Sequence, residues 1–242
     1  MSETRFPADA VILAAGLGTR LRPLTQTVAK PLVKVGGVPL VERAVRAGMA
    51  EGVGRFVVNA HYLADQVADE VSRLARDLPD ASFALSLEKD LLLGTGGGVA
   101  RALRQTRGDS VLVLNADSFW LPQSDRPLAR LLNAFVESDA LAALLCVDPS
   151  RSSGLKRSHD FCLDPRRRLT ADRGAPVLFA GAALYARALF ADAPEGAFAI
   201  QELWAQAEQQ GRMIGARLDA DWFHVGDLEG LRAAEARLGA AE

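Results

Sequence analysis

Glycine and cationic side chains follow a short apolar run near the beginning of the chain, in the stretch DAVILAAGLGTRLRPLTQTVAKP. The apolar run, residues 10–14, predicts a buried strand. Gly16 and Gly18 come directly after it, and glycine allows backbone N–H groups to approach phosphate oxygens closely. The cations of the stretch, which would add charge-assisted hydrogen bonds, are Arg20, Arg22 and Lys30. Glycines, cations and prolines together predict a polyphosphate site rather than a tight turn with solvated cations.

Two common glycine loops do not fit this stretch. A dinucleotide-binding turn needs a glycine three residues after Gly18, but Leu21 stands there. A mononucleotide P-loop needs Gly-Lys followed by Ser or Thr, and that triplet does not occur in the sequence. The predicted polyphosphate site is therefore of another kind.

A second glycine cluster, LEKDLLLGTGGG, occupies residues 87–98 after another predicted strand. Flexible backbone at this point could wrap a nucleobase, with Glu88 or the backbone of Gly94 and Thr95 contacting the edge of the base. Taken alone, the cluster is more typical of a tight turn from a strand into a helix. Both interpretations stay open on the residues alone.

Asn115, Ala116 and Asp117 stand at the carboxyl end of an apolar strand. A carboxylate there, facing a polyphosphate, is where a hard cation such as Mg²⁺ would be held. The alternative is a solvated aspartate in a turn. Both interpretations stay open on the residues alone.

Length and composition predict one large α/β domain. The chain has 242 residues, of which 49% are hydrophobic and 24% charged, and domains of this size can bury a substantial core. The formal net charge of −2 gives no general attraction to nucleic acid or to a membrane surface. We expect no partner of either kind.

The two cysteines, Cys146 and Cys162, are too few for a disulfide framework or a zinc site. Both are expected to be buried, reduced thiols. The N-terminal residues lack the apolar core of a signal peptide, and no apolar run is long enough to span a bilayer. These features predict a cytoplasmic protein.

Strand and helix patterns alternate along the chain. Helical periodicity marks residues 39–51, 63–76, 99–105, 128–138, 200–210 and 228–238, and apolar runs predict strands at 10–14, 55–60, 82–87, 111–115, 141–147, 177–185 and 213–218. This order is typical of a Rossmann-like, doubly wound, mostly parallel sheet with helices on both faces. Residues 150–174 are polar and predict a small lid of hairpins and loops.

The first stretch resembles the signature of the sugar-1-phosphate nucleotidyltransferases, which have the nucleotidyltransferase A fold. That signature is close to L-A-A-G-x-G-T-R-L-x-P-L-T, and every position from Leu13 to Thr25 matches it. The pattern continues with P-K-P, where Ala29 replaces the first proline and Lys30 and Pro31 stand. The second cluster and the Asn115–Asp117 triplet also match family patterns.

The resemblance implies a reaction in which an NTP and a sugar 1-phosphate give an NDP-sugar and pyrophosphate. The catalytic residues that it implies are Arg20, Lys30 and Asp117. Those implied to bind the nucleotide are Leu13, Ala14, Ala15, Gly16, Gly18, Thr19, Arg20, Glu88, Gly94, Thr95 and Asn115. Those implied to bind the sugar are Asn59, His61, Asp160, Gly181 and Glu202. Residues 1–149 would form the nucleotide-binding core and residues 150–242 the sugar-binding, closing part of the same domain.

The C-terminal stretch ADWFHVGDLEGLRAAE departs from the family pattern W-x-D-V-G-T at two positions. His224 stands where the family usually has its second metal-binding aspartate, and Asp227 replaces the threonine. Histidine is a softer ligand than a carboxylate. The metal, Mg²⁺ or Mn²⁺, would therefore be held by Asp117 with either His224 or Asp227, and His224 could instead bind a phosphate.

Within the family, the chain resembles the compact N-acetylmuramate-1-phosphate uridylyltransferases of cell-wall recycling, through Gly-Gly-Gly after Thr95 and the H-D-F segment at His159 to Phe161. Mannose- or heptose-1-phosphate guanylyltransferases are the alternative. An alternative of another class is a weakly catalytic regulatory homologue that binds nucleotide sugar. The resemblance implies UTP as the favoured nucleotide and a monomer or small homo-oligomer.

Overall fold

The computed structural model describes residues 9–121 and 126–239. Its strands, in chain order, are β1 (Asp9–Leu13), β2 (Lys34–Val35), β3 (Val38–Pro39), β4 (Arg55–Ala60), β5 (Ser82–Leu87), β6 (Ser110–Asn115), β7 (Ser118–Leu121), β8 (Ala142–Val147), β9 (Ser152–Ser153), β10 (Phe161–Leu163), β11 (Leu169–Thr170), β12 (Ala175–Ala186), β13 (Met213–Leu218) and β14 (Asp221–His224). Its α-helices are α1 (Leu40–Met49), α2 (Ala64–Asp77), α3 (Gly94–Leu103), α4 (Pro127–Val136), α5 (Ile200–Gln209) and α6 (Leu228–Gly239). The alternation of strands and helices predicted from the sequence is confirmed.

A nine-stranded sheet forms the centre of the fold. Strands β5, β4, β1 and β6 lie side by side and run parallel. β12 pairs antiparallel with β6 on one edge and with β8 on the other, and β13 extends the sheet parallel to β8. The hairpin β10–β11 pairs with the first residues of β12. Among the described long strands only β12 is reversed, so the mostly parallel sheet is confirmed.

Helices cover both faces of this sheet because alternate residues of each strand point to opposite faces. On β1, Ala10 and Ile12 belong to a buried cluster with α1, α2 and α4, whereas Val11 belongs to a cluster with α3 and α5. A strand buried on both faces is apolar throughout. In such a fold, ligands bind outside the carboxyl ends of the strands, which here are the ends of β1 and β6.

A separate three-stranded sheet, β7–β14–β9, was not predicted from the sequence. β14 runs antiparallel to β7 and places His224 opposite Ser118. The rings of Phe119 and Phe223 stack across this pair with centroids 5.3 Å apart. The small sheet therefore brings a C-terminal segment beside the end of β6.

A helix was predicted at 99–105 after a turn at 94–98, and its predicted beginning was wrong, because α3 already begins at Gly94. A Cβ atom at Gly96 would overlap the ring of Phe198, and one at Gly97 would overlap the carbonyl oxygen of Gly196. These two glycines are therefore required for close packing against residues 196–198. Flexibility does not explain them.

The described helices are short, and the longest, α2, has 14 residues. In the ranges 9–121 and 126–239, the structure contains no helix that is both long and apolar enough to cross a membrane. The polar segment 150–174 contains β9 and the hairpin β10–β11 joined by turns.

Candidate functional site

Two adjoining cavities lie at the carboxyl ends of β1 and β6. The first, the loop cavity, has a volume of about 210 Å³. It is lined by Leu13, Ala14, Ala15, Gly16, Lys30, Pro31, Asn59, Leu92, Gly94, Thr95, Asn115, Ala116 and Asp117. The second, the aromatic cavity, has a volume of about 400 Å³. Because both cavities are lined by Leu13, Thr95 and Asn115, they adjoin at these residues.

Local backbone geometry fixes the glycine loop against the core. Gly18 has a φ of 64°, a left-handed conformation that glycine adopts without strain. The hydroxyl of Thr25 donates a hydrogen bond of 2.6 Å to the carbonyl oxygen of Gly18. Leu21 follows in a short 3-10 helix and is fully buried. Ala15 and Gly16, which precede these contacts in the same loop, line the loop cavity.

Lys30 and Asp117 form an ion pair on the wall of the loop cavity. Nζ of Lys30 lies 2.6 Å from Oδ2 of Asp117. Burial acts to raise the pKa of the Asp117 carboxyl, but the charge and hydrogen bond of Lys30, with the charge of Arg20, lower it below its ordinary value. The carboxylate is therefore ionised at neutral pH and can hold a cation.

His224 lies on the other side of the same carboxylate. Its Nδ1 is 3.8 Å from Oδ1 of Asp117, which is too long for a hydrogen bond. Its ring stacks on Trp222 with centroids 5.9 Å apart. Burial lowers the pKa of His224, and the opposing effect of Asp117 does not restore it. The imidazole is therefore neutral at pH 7 and offers a nitrogen lone pair.

Arg20 reaches the same region from the glycine loop. A Cβ atom built on Gly226 would overlap Nε2 of His224 and lie 3.0 Å from a terminal nitrogen of Arg20. The guanidinium group also helps to lower the pKa of Asp117. Arg20 is exposed and does not line the loop cavity itself. It thus stands as a cation at the outer end of the site.

One oxygen of Asp117 fits a metal ion. Oδ1 is buried and accepts no hydrogen bond from any described residue, although buried carboxylate oxygens are usually satisfied. Asp227 is placed differently, since its carboxylate accepts a 2.9 Å hydrogen bond from the N–H of Gly230 in the first turn of α6. No group of three or more His, Cys, Asp or Glu residues that could hold a metal occurs among the described residues. An ion bound here would have to take further ligands from substrate phosphates and water, as Mg²⁺ commonly does.

Asn59 and Glu88 form a buried polar pair behind the loop cavity. Glu88 is only 1% exposed. One of its oxygens accepts from the side-chain amide of Asn59 at 2.7 Å, and the other accepts from the N–H of Leu93 at 2.9 Å. His61 makes a 2.7 Å hydrogen bond through Nδ1 with the backbone carbonyl of Glu88. The position of this carboxylate does not favour the predicted contact with a nucleobase.

The aromatic cavity lies between the end of β6, α5 and the polar segment. Its lining includes Leu13, Thr95, Val99, Val113, Asn115, Arg157, Asp160, Phe161, Phe179, Tyr185, Ile200, Gln201 and Trp204. Trp204 contacts Phe161 and Phe179 edge to face, at centroid distances of 5.8 Å and 5.2 Å. Its indole N–H donates to the hydroxyl of Tyr185 at 3.0 Å. The cavity thus offers apolar ring surface to a ligand.

One cation stands at the edge of this aromatic surface. The guanidinium of Arg157 pairs with both carboxylate oxygens of Asp160, at 2.5 Å and 2.9 Å. Asp160 is itself held by the N–H of Phe179, which donates to it at 2.9 Å. Arg157 is therefore oriented by Asp160 and remains half exposed.

The structure brings most of the predicted site residues together. Of the predicted nucleotide-binding set, those lining the loop cavity are Leu13, Ala14, Ala15, Gly16, Gly94, Thr95 and Asn115. Of the predicted sugar-binding residues, Asn59 lines the loop cavity and Asp160 lines the aromatic cavity. The residues of the nucleotide-binding and sugar-binding sets that line neither cavity are Gly18, Thr19, Arg20, His61, Glu88, Gly181 and Glu202.

Gly181 and Glu202 have local structural contacts. Gly181 has a φ of 80° at an irregularity in β12, and a Cβ there would overlap Oγ of Ser118. Glu202 accepts a 3.2 Å hydrogen bond from the N–H of Ala199 at the beginning of α5. These positions do not favour direct contact of either residue with a sugar.

Sequence reasoning did not identify the aromatic residues of the second cavity or Gln201. Phe161, Phe179 and Trp204 come from β10, β12 and α5, so no local spacing relates them. The available signal was the polar segment itself, whose cations included Arg157 and whose H-D-F motif included Phe161. The contacts of Trp204 could be found only from the fold.

Cations, a partly buried carboxylate and a glycine loop beside a second, larger cavity suit a transfer reaction between two bound substrates. Residues 9–154 match the Nucleotidyl transferase family, and the chain belongs to this family. The protein is therefore a nucleotidyltransferase.

Two relatives match nearly the whole chain. The N-acetylmuramate alpha-1-phosphate uridylyltransferase of Caulobacter vibrioides is 34% identical over 242 residues, covering 98% of this chain and 100% of the relative. The protein of the same name from Neisseria meningitidis is 32% identical over 240 residues, covering 96% and 98%. A UDP-glucose pyrophosphorylase, solved with UDP-glucose, has the same fold with a TM-score of 0.79, 15% identity and coverage of 98% and 100%.

Proposed function

We propose that the protein transfers the uridylyl group of UTP to N-acetylmuramate 1-phosphate, giving UDP-N-acetylmuramate and pyrophosphate. The observation that carries the proposal is the junction of the two cavities at Asn115. The Lys30–Asp117 pair lies on the wall of one cavity, and aromatic rings with Arg157 lie on the wall of the other. Both near-full-length relatives bear this acceptor and this nucleotidyl group in their names.

The loop cavity would hold the nucleotide. Ala15 and Gly16 line it on one side and Gly94 and Thr95, at the beginning of α3, on the other, and backbone amides at such positions bind phosphate well. Gly18, Thr19 and Arg20 continue the loop outward and would hold the β- and γ-phosphates. Lys30, at the inner wall, would neutralise the α-phosphate and the incoming sugar phosphate.

The chemistry needs no protein nucleophile. An oxygen of the sugar phosphate attacks the α-phosphorus in line, its new bond to phosphorus forms, and the bond from the α-phosphorus to the β-phosphate oxygen breaks. Pyrophosphate leaves with the electron pair of that bond. Positioning of the two substrates and charge neutralisation by Lys30 and Arg20 would supply the catalysis.

A divalent ion, Mg²⁺ or Mn²⁺, is part of the proposal. When bound, it would neutralise phosphate charge and orient the α-phosphate. Asp117 would hold it through Oδ1, the buried oxygen left free by the described residues, and His224 would be the second protein ligand. Asp227 would keep its role in capping α6.

The aromatic cavity would hold the acceptor. Phe161 and Phe179 offer ring surface for the apolar parts of the sugar and its acetamido group. Arg157 would bind the lactyl carboxylate, which is the group that distinguishes N-acetylmuramate from N-acetylglucosamine, and a carboxylate matches the planar fork of arginine. Since UTP is an intracellular metabolite, the proposal places the reaction in the cytoplasm.

The proposal is tested with a matrix of four NTPs against a panel of sugar 1-phosphates, with pyrophosphate release as the readout. We expect UTP with N-acetylmuramate 1-phosphate to have the highest kcat/KM. Mannose and heptose 1-phosphates with GTP test the guanylyltransferase alternative. A protein that binds nucleotide sugars without turnover in any combination would support the regulatory alternative.

A further inference from the structure

Hydrogen bonds through Asn59 and Glu88 connect opposite walls of the loop cavity. Oδ1 of Asn59 accepts from the backbone N–H of Ala14 in the glycine loop at 2.6 Å. The amide group of Asn59 donates to Oε1 of Glu88 at 2.7 Å. Oε2 of Glu88 accepts from the N–H of Leu93, directly before α3, at 2.9 Å. The chain of bonds thus runs from the end of β1 to the beginning of α3.

Burial makes this chain rigid and removes Glu88 from a ligand's reach. Asn59 and Glu88 are 2% and 1% exposed. Both carboxylate oxygens of Glu88 already accept hydrogen bonds from the protein, and no described Lys, Arg or His forms an ion pair with it. A carboxylate that contacts a nucleobase directly needs an accessible oxygen, which Glu88 does not offer.

Helix α3 packs directly on the same pair. A Cβ atom at Gly98 would lie 2.7 Å from the amide nitrogen of Asn59 and 3.0 Å from Oε1 of Glu88. Real Cβ atoms essentially never approach a neighbouring atom as closely as the first of these distances. The absence of a side chain at this position therefore lets the helix lie against the hydrogen-bonded pair.

We infer that Asn59 and Glu88 are positioning residues for nucleotide binding, which hold the Ala14 loop and the beginning of α3 at the separation that the nucleotide spans. Both walls line the loop cavity through Ala14, Gly94 and Thr95. Glutamate suits this role because both of its carboxylate oxygens accept hydrogen bonds. The side chain of glutamine has one accepting oxygen and an NH₂ group that can only donate. The inference rests on nucleotidyl transfer, shown by the family, and on no particular base or sugar.

The test is Glu88→Gln, assayed with all four NTPs and the best sugar 1-phosphate. Losing a hydrogen bond to a charged group costs roughly ten- to hundred-fold in an equilibrium. We expect kcat/KM to fall by about that factor for every NTP, with the ratios among NTPs unchanged. The loss should appear as a higher KM for the NTP, with the KM for the sugar 1-phosphate unaltered. A merely destabilised enzyme would instead lose active protein without changing either KM.

Two further variants make the test decisive. Asn59→Ala combined with Glu88→Gln should cost little more than the worse single variant, because both interrupt one chain of hydrogen bonds. Glu42→Gln is the matched control, because Glu42 is a buried carboxylate on α1 that pairs with Arg46 and Arg73 and does not line the loop cavity. It should lower the Tm without changing the KM for the NTP.

A selective change among the four NTPs in Glu88→Gln would overturn the inference and assign base recognition to Glu88. An unchanged KM for the NTP, or additive effects of the two substitutions, would also overturn it. If UTP and N-acetylmuramate 1-phosphate prove not to be the substrates, the proposed function fails but this test proceeds with the best pair. Calorimetric binding of the four NTPs gives the same comparison without turnover.

Discussion

Nζ of Lys30 lies 2.6 Å from Oδ2 of Asp117, although the two residues are 87 positions apart in sequence. This ion pair joins the segment between β1 and β2 to the turn after β6. β1 and β6 are neighbours in the sheet. The other oxygen of Asp117 lies near the ring of His224. One carboxylate thus has a cation on one side and a neutral imidazole on the other.

Replacing Lys30 tests the electrostatic part of the mechanism. Lys30→Met keeps the length of the side chain but removes a cation from a transition state rich in negative charge, so we expect kcat to fall on the order of 10²–10³-fold. Steady-state kinetics and circular dichroism of the folded variant provide the measurement. Lys34→Met, at an exposed position on β2, should retain parental turnover. Parental turnover in the Lys30 variant would remove this residue from the mechanism.

Arg20→Ala should also lower kcat on the order of 10²–10³-fold, because the exposed guanidinium would otherwise stabilise charge developing on the leaving pyrophosphate. The same kinetic assay measures the change. Unlike Lys30, Arg20 lies outside the loop cavity, so added guanidine should restore part of the activity. A variant with unaltered kinetics would show that phosphate binding depends on the loop amides alone.

The metal preference should follow the side chain at position 224. A nitrogen ligand favours Mn²⁺ or Co²⁺ relative to Mg²⁺, and His224→Asp restores a carboxylate, so we expect the ratio of Mg²⁺- to Mn²⁺-supported activity to rise. Asp117→Asn should abolish activity with every metal. Metal titrations of the chelator-treated variants provide the comparison.

Asp227→Ala is the control for this metal experiment. It removes the cap of α6 and should lower stability by about 1 kcal/mol with the metal preference unchanged. The opposite pattern would be an unchanged metal preference in His224→Ala and the loss of that metal preference in Asp227→Ala. That result would assign the metal to Asp227.

Arg157 should determine selectivity for an acidic acceptor. Arg157→Met removes the carboxylate partner, so we expect the KM for N-acetylmuramate 1-phosphate to rise about ten-fold or more. The KM for UTP and for N-acetylglucosamine 1-phosphate should stay constant. Lys156→Met is the control, since Lys156 is 82% exposed and pairs with Glu229. An equal effect on both sugar phosphates would show that Arg157 does not recognise the lactyl group.

The glycines of α3 should be intolerant of even one methyl group. Gly96→Ala places Cβ inside the ring of Phe198, and we expect a loss of about 1–3 kcal/mol in the free energy of unfolding. Gly54→Ala is the matched control, because no atom lies within 4 Å of its added Cβ. Denaturant unfolding of both variants measures the difference. Equal stability would show that close packing against Phe198 does not require glycine at position 96.

Much of the sheet could be predicted because each strand carries its own pattern. The predicted bounds of 55–60, 82–87 and 213–218 agree with β4, β5 and β13. β7 and β14 were missed because each has only four residues and pairs with a distant segment. Their position is set by the packing of Phe119, Phe223 and α6, which periodicity does not show.

The candidate site, like the sheet, could be predicted from the sequence only in part. The glycine loop and its cations are contiguous in sequence, so their pattern indicated a phosphate site without a structure. The burial of Glu88 depends on Asn59 in β4, on Leu93 directly before α3 and on Gly98 within α3. The aromatic cavity likewise exists only when β10, β12 and α5 have packed together.

The most direct test of the account is the stoichiometry of products from UTP and N-acetylmuramate 1-phosphate in the presence of Mg²⁺ or Mn²⁺. Mass spectrometry would identify the nucleotide sugar, and a coupled assay would measure pyrophosphate. The account predicts UDP-N-acetylmuramate and pyrophosphate in equal amounts, dependence on both substrates, and near loss of both products in Lys30→Met. Release of phosphate or pyrophosphate from UTP without the sugar, or no nucleotide sugar from any NTP and sugar 1-phosphate, would contradict it.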